Sequence, residues 1–176
     1  MFLTYENLVI RNATPEDAPL LSQWWNDGSV MAHAGFPNGL HTTIEEISQS
    51  LLLDSDETCR RLIIEVHHIP VGEMNYRNMG NGVAEIGIKI CDQGMQGKGY
   101  GTLFLKLLIS SLFTNGYHKI ILDTNLNNIR AQHVYESLGF QKLRTNYNSW
   151  ANQLGELQSS VDYELLKSQC TFILID

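Results

Sequence analysis

Residues 96–102 read QGKGYGT, and three glycines with a lysine in so short a turn are the first sign of chemistry in the chain. Glycine lacks the Cβ that keeps other residues out of positive φ and away from close approach, so such a turn suggests backbone shaped around a guest. The guest this composition suits is an anion. The turn follows the strand-like AEIGIKI and precedes the apolar LFLKLLI, so free N–H groups and the positive end of the next helix would face a phosphate or pyrophosphate, with Lys98 adding a mobile charge. Two nucleotide fingerprints are excluded. A P-loop needs Ser or Thr after Lys98, where Gly99 stands, and GxGxxG counted from Gly97 or Gly99 meets Thr102 or Phe104 where it needs glycine. A nucleotide-binding protein using this loop for ATP is therefore disfavoured, while a turn that binds nothing stays open on these residues alone.

Glu85 is the second group with chemical potential. On the strand AEIGIKI it shares a face with Gly87 and Lys89, opposite Ile86, Ile88 and Ile90. It is either a solvated strand residue paired with a lysine or arginine of a neighbouring strand, or a functional carboxylate. His118 and His133 suit surface positions, and His67-His68 beside Pro70 reads as a turn whose histidines, with Glu65, form no metal pattern. Cys91 has no His/Asp arrangement to make it a nucleophile and reads as a buried small hydrophobe. No metal is expected.

The elements that must carry these groups alternate along the chain. Leu8–Arg11 reads as a strand, and Thr14-Pro15 with Asp17 at the capping-box position starts a helix to about Asn26. Thr43 with Glu46 starts a second, to about Leu53. RLIIEV, GEMNYR and VAEIGIKI then form an antiparallel meander. Residues 102–115 keep Thr102, Lys106 and Ser110 on one stripe and are apolar almost elsewhere, as a helix largely buried on a sheet would be, and KIILD (119–123) reads as a buried strand parallel to the one before that helix. A helix from about Asn128 to Leu138 stops at Gly139, and FQKLRTNYNSW and LQSSVDYELL close as an antiparallel pair. The order is βααβββαβαββ.

LNNIRAQHVYESLGF (126–140), about thirty residues after QGKGYG, resembles the GNAT superfamily of acyl-CoA-dependent N-acetyltransferases. The family pattern [QR]xxGx[GA] is met by Gln96, Gly99 and Gly101, and NxxAxxxYxxxGF by Asn128, Ala131, Tyr135, Gly139 and Phe140. The resemblance implies one α/β (α+β) domain over 1–176, with a mostly antiparallel sheet whose fourth and fifth strands, ending at Ile90 and spanning 119–123, are parallel and splayed. The pantetheine arm of acetyl-CoA would lie in that gap, bonded by backbone near Lys89, Ile90 and Cys91. Main chain from Gln96 through Gly97, Lys98, Gly99, Tyr100 and Gly101 would meet the pyrophosphate, and Asn128 the pantetheine. It implies Tyr135 near the thioester sulfur as proton donor to the leaving thiolate, and Glu85 as general base, as in some histone-acetyltransferase members. Without the motif, Tyr135 reads as a packing residue.

Net charge −7, from 12 Lys plus Arg against 19 Asp plus Glu, argues against a general nucleic-acid binder. The three cysteines are odd in number with no CxxC, which suits a reducing, cytoplasmic setting, and no export or membrane-spanning segment is expected. The expected activity is transfer of acetyl from acetyl-CoA to a primary amine by direct attack in a ternary complex, with acetyl-CoA as cosubstrate. A protein or peptide N-terminus is the first acceptor, in keeping with a closing segment, GELQSSVDYELLK, that looks like the branch including ribosomal-protein N-terminal acetyltransferases. A polyamine or aminoglycoside is the second, and a non-catalytic acyl-CoA sensor the reading from another class. Trp24, Trp25, His33 and Phe36 come from the region that in this family covers the acceptor, and a homodimer is allowed for.

Overall fold

Alternating β-branched and aromatic runs make eight strands, joined into one sheet in the order β1-β2-β3-β4-β5-β6-β8-β7. They are β1 (Phe2–Tyr5), β2 (Leu8–Asn12), β3 (Cys59–Val66), β4 (Ile69–Asn78), β5 (Val83–Ile90), β6 (Lys119–Asn125), β7 (Gln141–Ala151) and β8 (Leu157–Leu166). The coordinates are a computed structural model in which residues 1–174 are described. Every neighbouring pair is antiparallel except β5 with β6. The helices are α1 (Ala18–Trp25), α2 (Gly28–Met31), α3 (Ile44–Leu51), α4 (Tyr100–Thr114) and α5 (Ile129–Ser137).

Period-two side-chain alternation sends the two sheet faces into different cores. Leu62 and Ile64 of β3, with Ala84, Ile86, Ile120 and Leu122, lie against Phe104, Leu105, Leu108 and Leu112 of α4 and against Tyr135 of α5. Ile63 and Cys91 face the other way, into Ala18, Leu21, Trp24, Ile47 and Leu51 of α1 and α3. α4 thus covers one face and α1–α3 the other.

Both helix starts are built as their sequences require. The Thr43 N–H donates to Glu46 at 2.8 Å while the Glu46 N–H donates to Thr43 Oγ1 at 3.2 Å, and the Thr14 N–H donates to Asp17 Oδ2 at 2.8 Å. The fold departs from the sequence reading at three points. An edge strand, β1, precedes the expected first strand, turning back through Glu6, which takes a positive φ of 52° without the glycine or proline that would announce a turn. The 28–42 connection holds a short helix, α2. The polar stripe of α4 is not an exposed one: Ser110 is buried because its Oγ donates to the Lys106 carbonyl at 2.7 Å and accepts from the Leu174 N–H at 2.9 Å, so the chain's last described residues cover it.

Candidate active site

The site begins where the sheet parts. β5 pairs with β6 only from Val83–Lys119 to Glu85–Ile121 and then diverges. On its other edge β5 stays bonded to β4: the Cys91 N–H donates to the Val71 carbonyl at 2.9 Å, and the Val83 carbonyl accepts from the Met79 N–H at 2.9 Å. The register between them is unbroken, so odd-numbered residues of β5 bond to β4 and, beyond the last pairing with β6, the main chain of Ile88 and Ile90 points into the gap. Of Lys89, Ile90 and Cys91, one has its main chain in the gap. Ile90 faces the gap, whereas the Cys91 N–H is already engaged with Val71 and the Lys89 main chain faces β4.

The gap widens into a cleft of about 1190 Å³. One end is the glycine turn. Gly97 and Gly99 have φ of 76° and 85°, and the N–H groups of residues 97–101 find no acceptor among the described residues, so five consecutive donors stand free where α4 begins. Gln96 ties the turn to the sheet, its Nε2 donating to the Ile90 carbonyl at 2.9 Å. Gln96, Gly97, Gly99, Tyr100 and Gly101 line the cleft; Lys98 is exposed and does not. Sequence reading missed Arg130, which lines the cleft with its guanidinium beside Gly97 and has no ion-pair partner among the described residues. Asn128 also lines it, while its Oδ1 caps α5 by accepting from the Ala131 N–H at 3.2 Å.

Midway along the cleft stands Tyr135. Its ring is buried, 5.9 Å from the rings of both Phe140 and Tyr163, and its hydroxyl has no hydrogen-bond partner among the described residues. Burial, and then the charge of Asp123, push its pKa up to about 12, so the group stays protonated and can donate. Asp123, also missed, faces the cleft from β6, and its carboxyl is held above the usual aspartate range by withdrawal from solvent and then by the negative charges of Glu85 and Asp162. Its side chain still has exposed surface because the cleft is open, and the concave wall removes enough water to raise its pKa. A signal existed in KIILD, where an acidic residue follows the apolar Ile120–Leu122.

Glu85 itself is not brought into the cleft. It pairs with Arg77 of β4 at 3.0 Å, the cross-strand alternative left open by the sequence. Of the four aromatic and imidazole side chains assigned to the acceptor side, only His33 lines the cleft, together with Ser29, Val30 and Ala34. Trp24 is buried between α1 and α3 because it lies on the same helix face as Leu21. Trp25 donates through Nε1 to Glu73 at 2.9 Å, which also holds Lys89 at 3.0 Å, and Phe36 is half-buried away from the cleft. The opposite wall carries Trp150 and Ser160. Cys91 is buried, and its thiol is pushed up to about 12 by burial and then by Glu73, far from a thiolate nucleophile. No group able to hold a metal is present among the described residues.

The acetyltransferase (GNAT) domain profile matches residues 7–141. The chain belongs to the GNAT acetyltransferase family. It is an acetyl-CoA-dependent N-acetyltransferase, and the free donors of the glycine turn fit the coenzyme that this GNAT activity needs. Among solved structures, spermidine N-acetyltransferase from Vibrio cholerae in complex with CoA and spermine matches at TM-score 0.81 and 22% identity, covering 94% of this chain and 98% of that one. Ribosomal-protein-S5-alanine acetyltransferase from Vibrio fischeri matches at 0.81 and 18%, covering 98% and 100%. A ribosomal L7/L12 α-N-protein acetyltransferase in complex with coenzyme A matches at 0.80 and 17%, covering 94% and 98%. At these identities the likeness is one of fold, and it extends the GNAT architecture through β7 and β8. No helix among the described residues is long and apolar enough to cross a membrane.

Gly99 tests the turn. Its φ of 85° costs a β-branched residue about 1–3 kcal/mol, and a Cβ there would meet no protein atom within 4 Å, so it would occupy open cleft. Gly99→Val is expected to weaken acetyl-CoA binding at least about tenfold, and Arg130→Ala to weaken it by a similar factor with a shallower salt dependence. Titration calorimetry at two ionic strengths checks both.

Proposed function

We propose that the protein acetylates an amine bearing a single charge, in first place the α-amine of a protein or peptide N-terminus, as enzymes of the ribosomal-protein N-terminal acetyltransferase branch do. One observation carries this reading: Asp123 is the only carboxylate among the described residues lining the cleft. A polyamine presents several ammonium groups along a flexible chain, and a cleft selecting it would be expected to offer several carboxylates. A peptide N-terminus presents one charge, followed by uncharged main chain that Ser29, Asn125 and Ser160 can meet.

Acetyl-CoA supplies an activated thioester, and the remaining work falls to the chain's own groups. The free N–H groups of 97–101 and Arg130 would hold the phosphates. The gap-facing N–H groups of β5 would meet the carbonyl oxygen as it becomes negative. Asp123 would take the ammonium proton, its raised pKa making it a stronger base than an ordinary aspartate, and Tyr135 would give its proton to the departing thiolate. The acceptor's own basicity agrees. An α-amine of pKa ~7.7–8.0 costs only about 1–1.4 kcal/mol to deprotonate at pH 7, against about 4.6 for an ε-amine at ~10.4, so one moderately basic carboxylate suffices.

The test is thiol release with four acceptor sets: free-N-terminal peptides, N-blocked peptides with an internal lysine, spermidine, and spermine. Free N-termini are expected to give the highest kcat/KM, by at least about tenfold. A higher value for spermidine or spermine would replace this reading with a polyamine one.

A further inference from the structure

We infer that Trp150 and Gln153, on the hairpin joining β7 to β8, position the acceptor by clasping the 28–39 loop over its half of the cleft. The loop is pinched at its base. The Leu40 N–H donates to the Trp25 carbonyl at 2.8 Å, and the Asn26 side chain bonds the Thr42 carbonyl and N–H at 2.8 and 2.9 Å. Its two sides touch where a Cβ on Gly28 would come within 1.9 Å of the Pro37 carbonyl oxygen, and one on Gly39 within 2.3 Å of that of Asn26. The result is an Ω-loop whose head carries Ser29, Val30, His33 and Ala34 over the cleft.

Gln153 grips that head from across the cleft with three bonds. Its N–H donates to the Gly35 carbonyl at 2.8 Å, its Nε2 to the Gly39 carbonyl at 2.9 Å, and its Oε1 accepts from the Asn38 N–H at 2.9 Å. Beneath this grip the Trp150 indole fills the space next to Gly35, where a Cβ would lie 2.4 Å from Cζ3. A register shift between Asn146 and Trp150 bulges β7 out of its ladder with β8 and re-aims the indole toward the cleft wall. On the coenzyme side, Gln93 Nε2 donates to Ser29 Oγ at 3.3 Å. The roof is therefore fastened at both flanks before any acceptor arrives. An attacking amine has to reach within about 3–3.5 Å of the reacting carbon in one orientation, and a preformed roof lowers the ordering cost of holding it there.

This rests on the acceptor occupying the Asp123 end of the cleft, and the experiment separates the two. Acceptor KM, kcat and acetyl-CoA Kd are measured for Gln153→Ala, Gln153→Glu and Gly35→Ala, with amide hydrogen exchange followed over 29–40 and 96–101. Gln153→Ala is expected to raise acceptor KM about tenfold with kcat within about twofold and coenzyme Kd unchanged. Gln153→Glu, which keeps the main-chain bond and the Oε1 acceptor, should fall between it and wild type. Gly35→Ala displaces Trp150 and should match Gln153→Ala. Exchange should quicken over 29–40 and stay constant over 96–101. Raised KM in these variants alongside an unimpaired Asp123→Asn would keep the clasp and remove the acceptor reading. Unchanged KM overturns the clasp as an acceptor-positioning device, whether or not the loop exchanges faster.

Discussion

Asp123→Asn is expected to lower kcat/KM for an α-amine peptide by about a hundredfold, and by more for a lysine-type acceptor, with acetyl-CoA affinity preserved. The substitution keeps the size of the side chain and removes only its capacity to take a proton, and positioned general bases contribute roughly 10²–10⁴-fold. The pH profile carries the sharper test. Only the ionised carboxylate can act, and burial with the charges of Glu85 and Asp162 holds its pKa up, so the acid limb of kcat/KM should lie above the ordinary aspartate range. Glu85→Gln deletes one of those negative charges and frees the positive charge of Arg77. Both changes favour the ionised form of Asp123, so the limb should move to lower pH while the plateau survives. Were Glu85 the base instead, Glu85→Gln would collapse the plateau and Asp123→Asn would spare it. The pair of variants assigns the proton to one carboxylate or the other.

Tyr135→Phe is expected to reduce kcat by roughly ten- to a thousandfold with little change in acetyl-CoA Kd. The ring is locked between Phe140 and Tyr163, and Tyr163 is itself fixed by its hydroxyl donating to Glu136 at 2.9 Å, so phenylalanine keeps the packing and loses only the donor. A pKa near 12 makes Tyr135 a reluctant acid, useful only while the leaving thiolate is forming beside it. Leaving groups of lower thiol pKa should narrow the difference between Tyr135→Phe and wild type. A variant equal to wild type with acetyl-CoA in single-turnover measurements would reduce Tyr135 to packing.

The glycine-turn end of the cleft was legible because its pattern is local. Gln96, Gly99, Gly101 and the capped helix after Asn128 are contiguous stretches whose spacing alone defines a turn before a helix. The Asp123 end is assembled from long-range contacts. Asp123 gains its raised pKa from burial in the cleft wall and then from charges on β5 and β8, and Trp150 reaches the cleft only because β7 bulges, which no periodicity announces. Trp24 and Trp25 are adjacent in sequence but differ in fate, since successive residues on a helix point about 100° apart: one enters the core, and the other meets Glu73 on the sheet. β1 escaped notice because Glu6 makes its turn without glycine or proline.

The short β5–β6 seam changes what the coenzyme is to the molecule. Three residue pairs join the two halves of the sheet, while seven pairs join β4 to β5 and seven join β6 to β8. A ligand bearing amide groups, laid along the edge of β5 beyond Glu85, would act as a keystone strand between two plates otherwise joined by that seam and by the core they share under α4. Occupancy at a hundred times Kd adds about 2.7 kcal/mol to stability by mass action alone. That gain should fall unevenly, with backbone exchange at Ile88 and Ile90 slowing far more than in the outer strands.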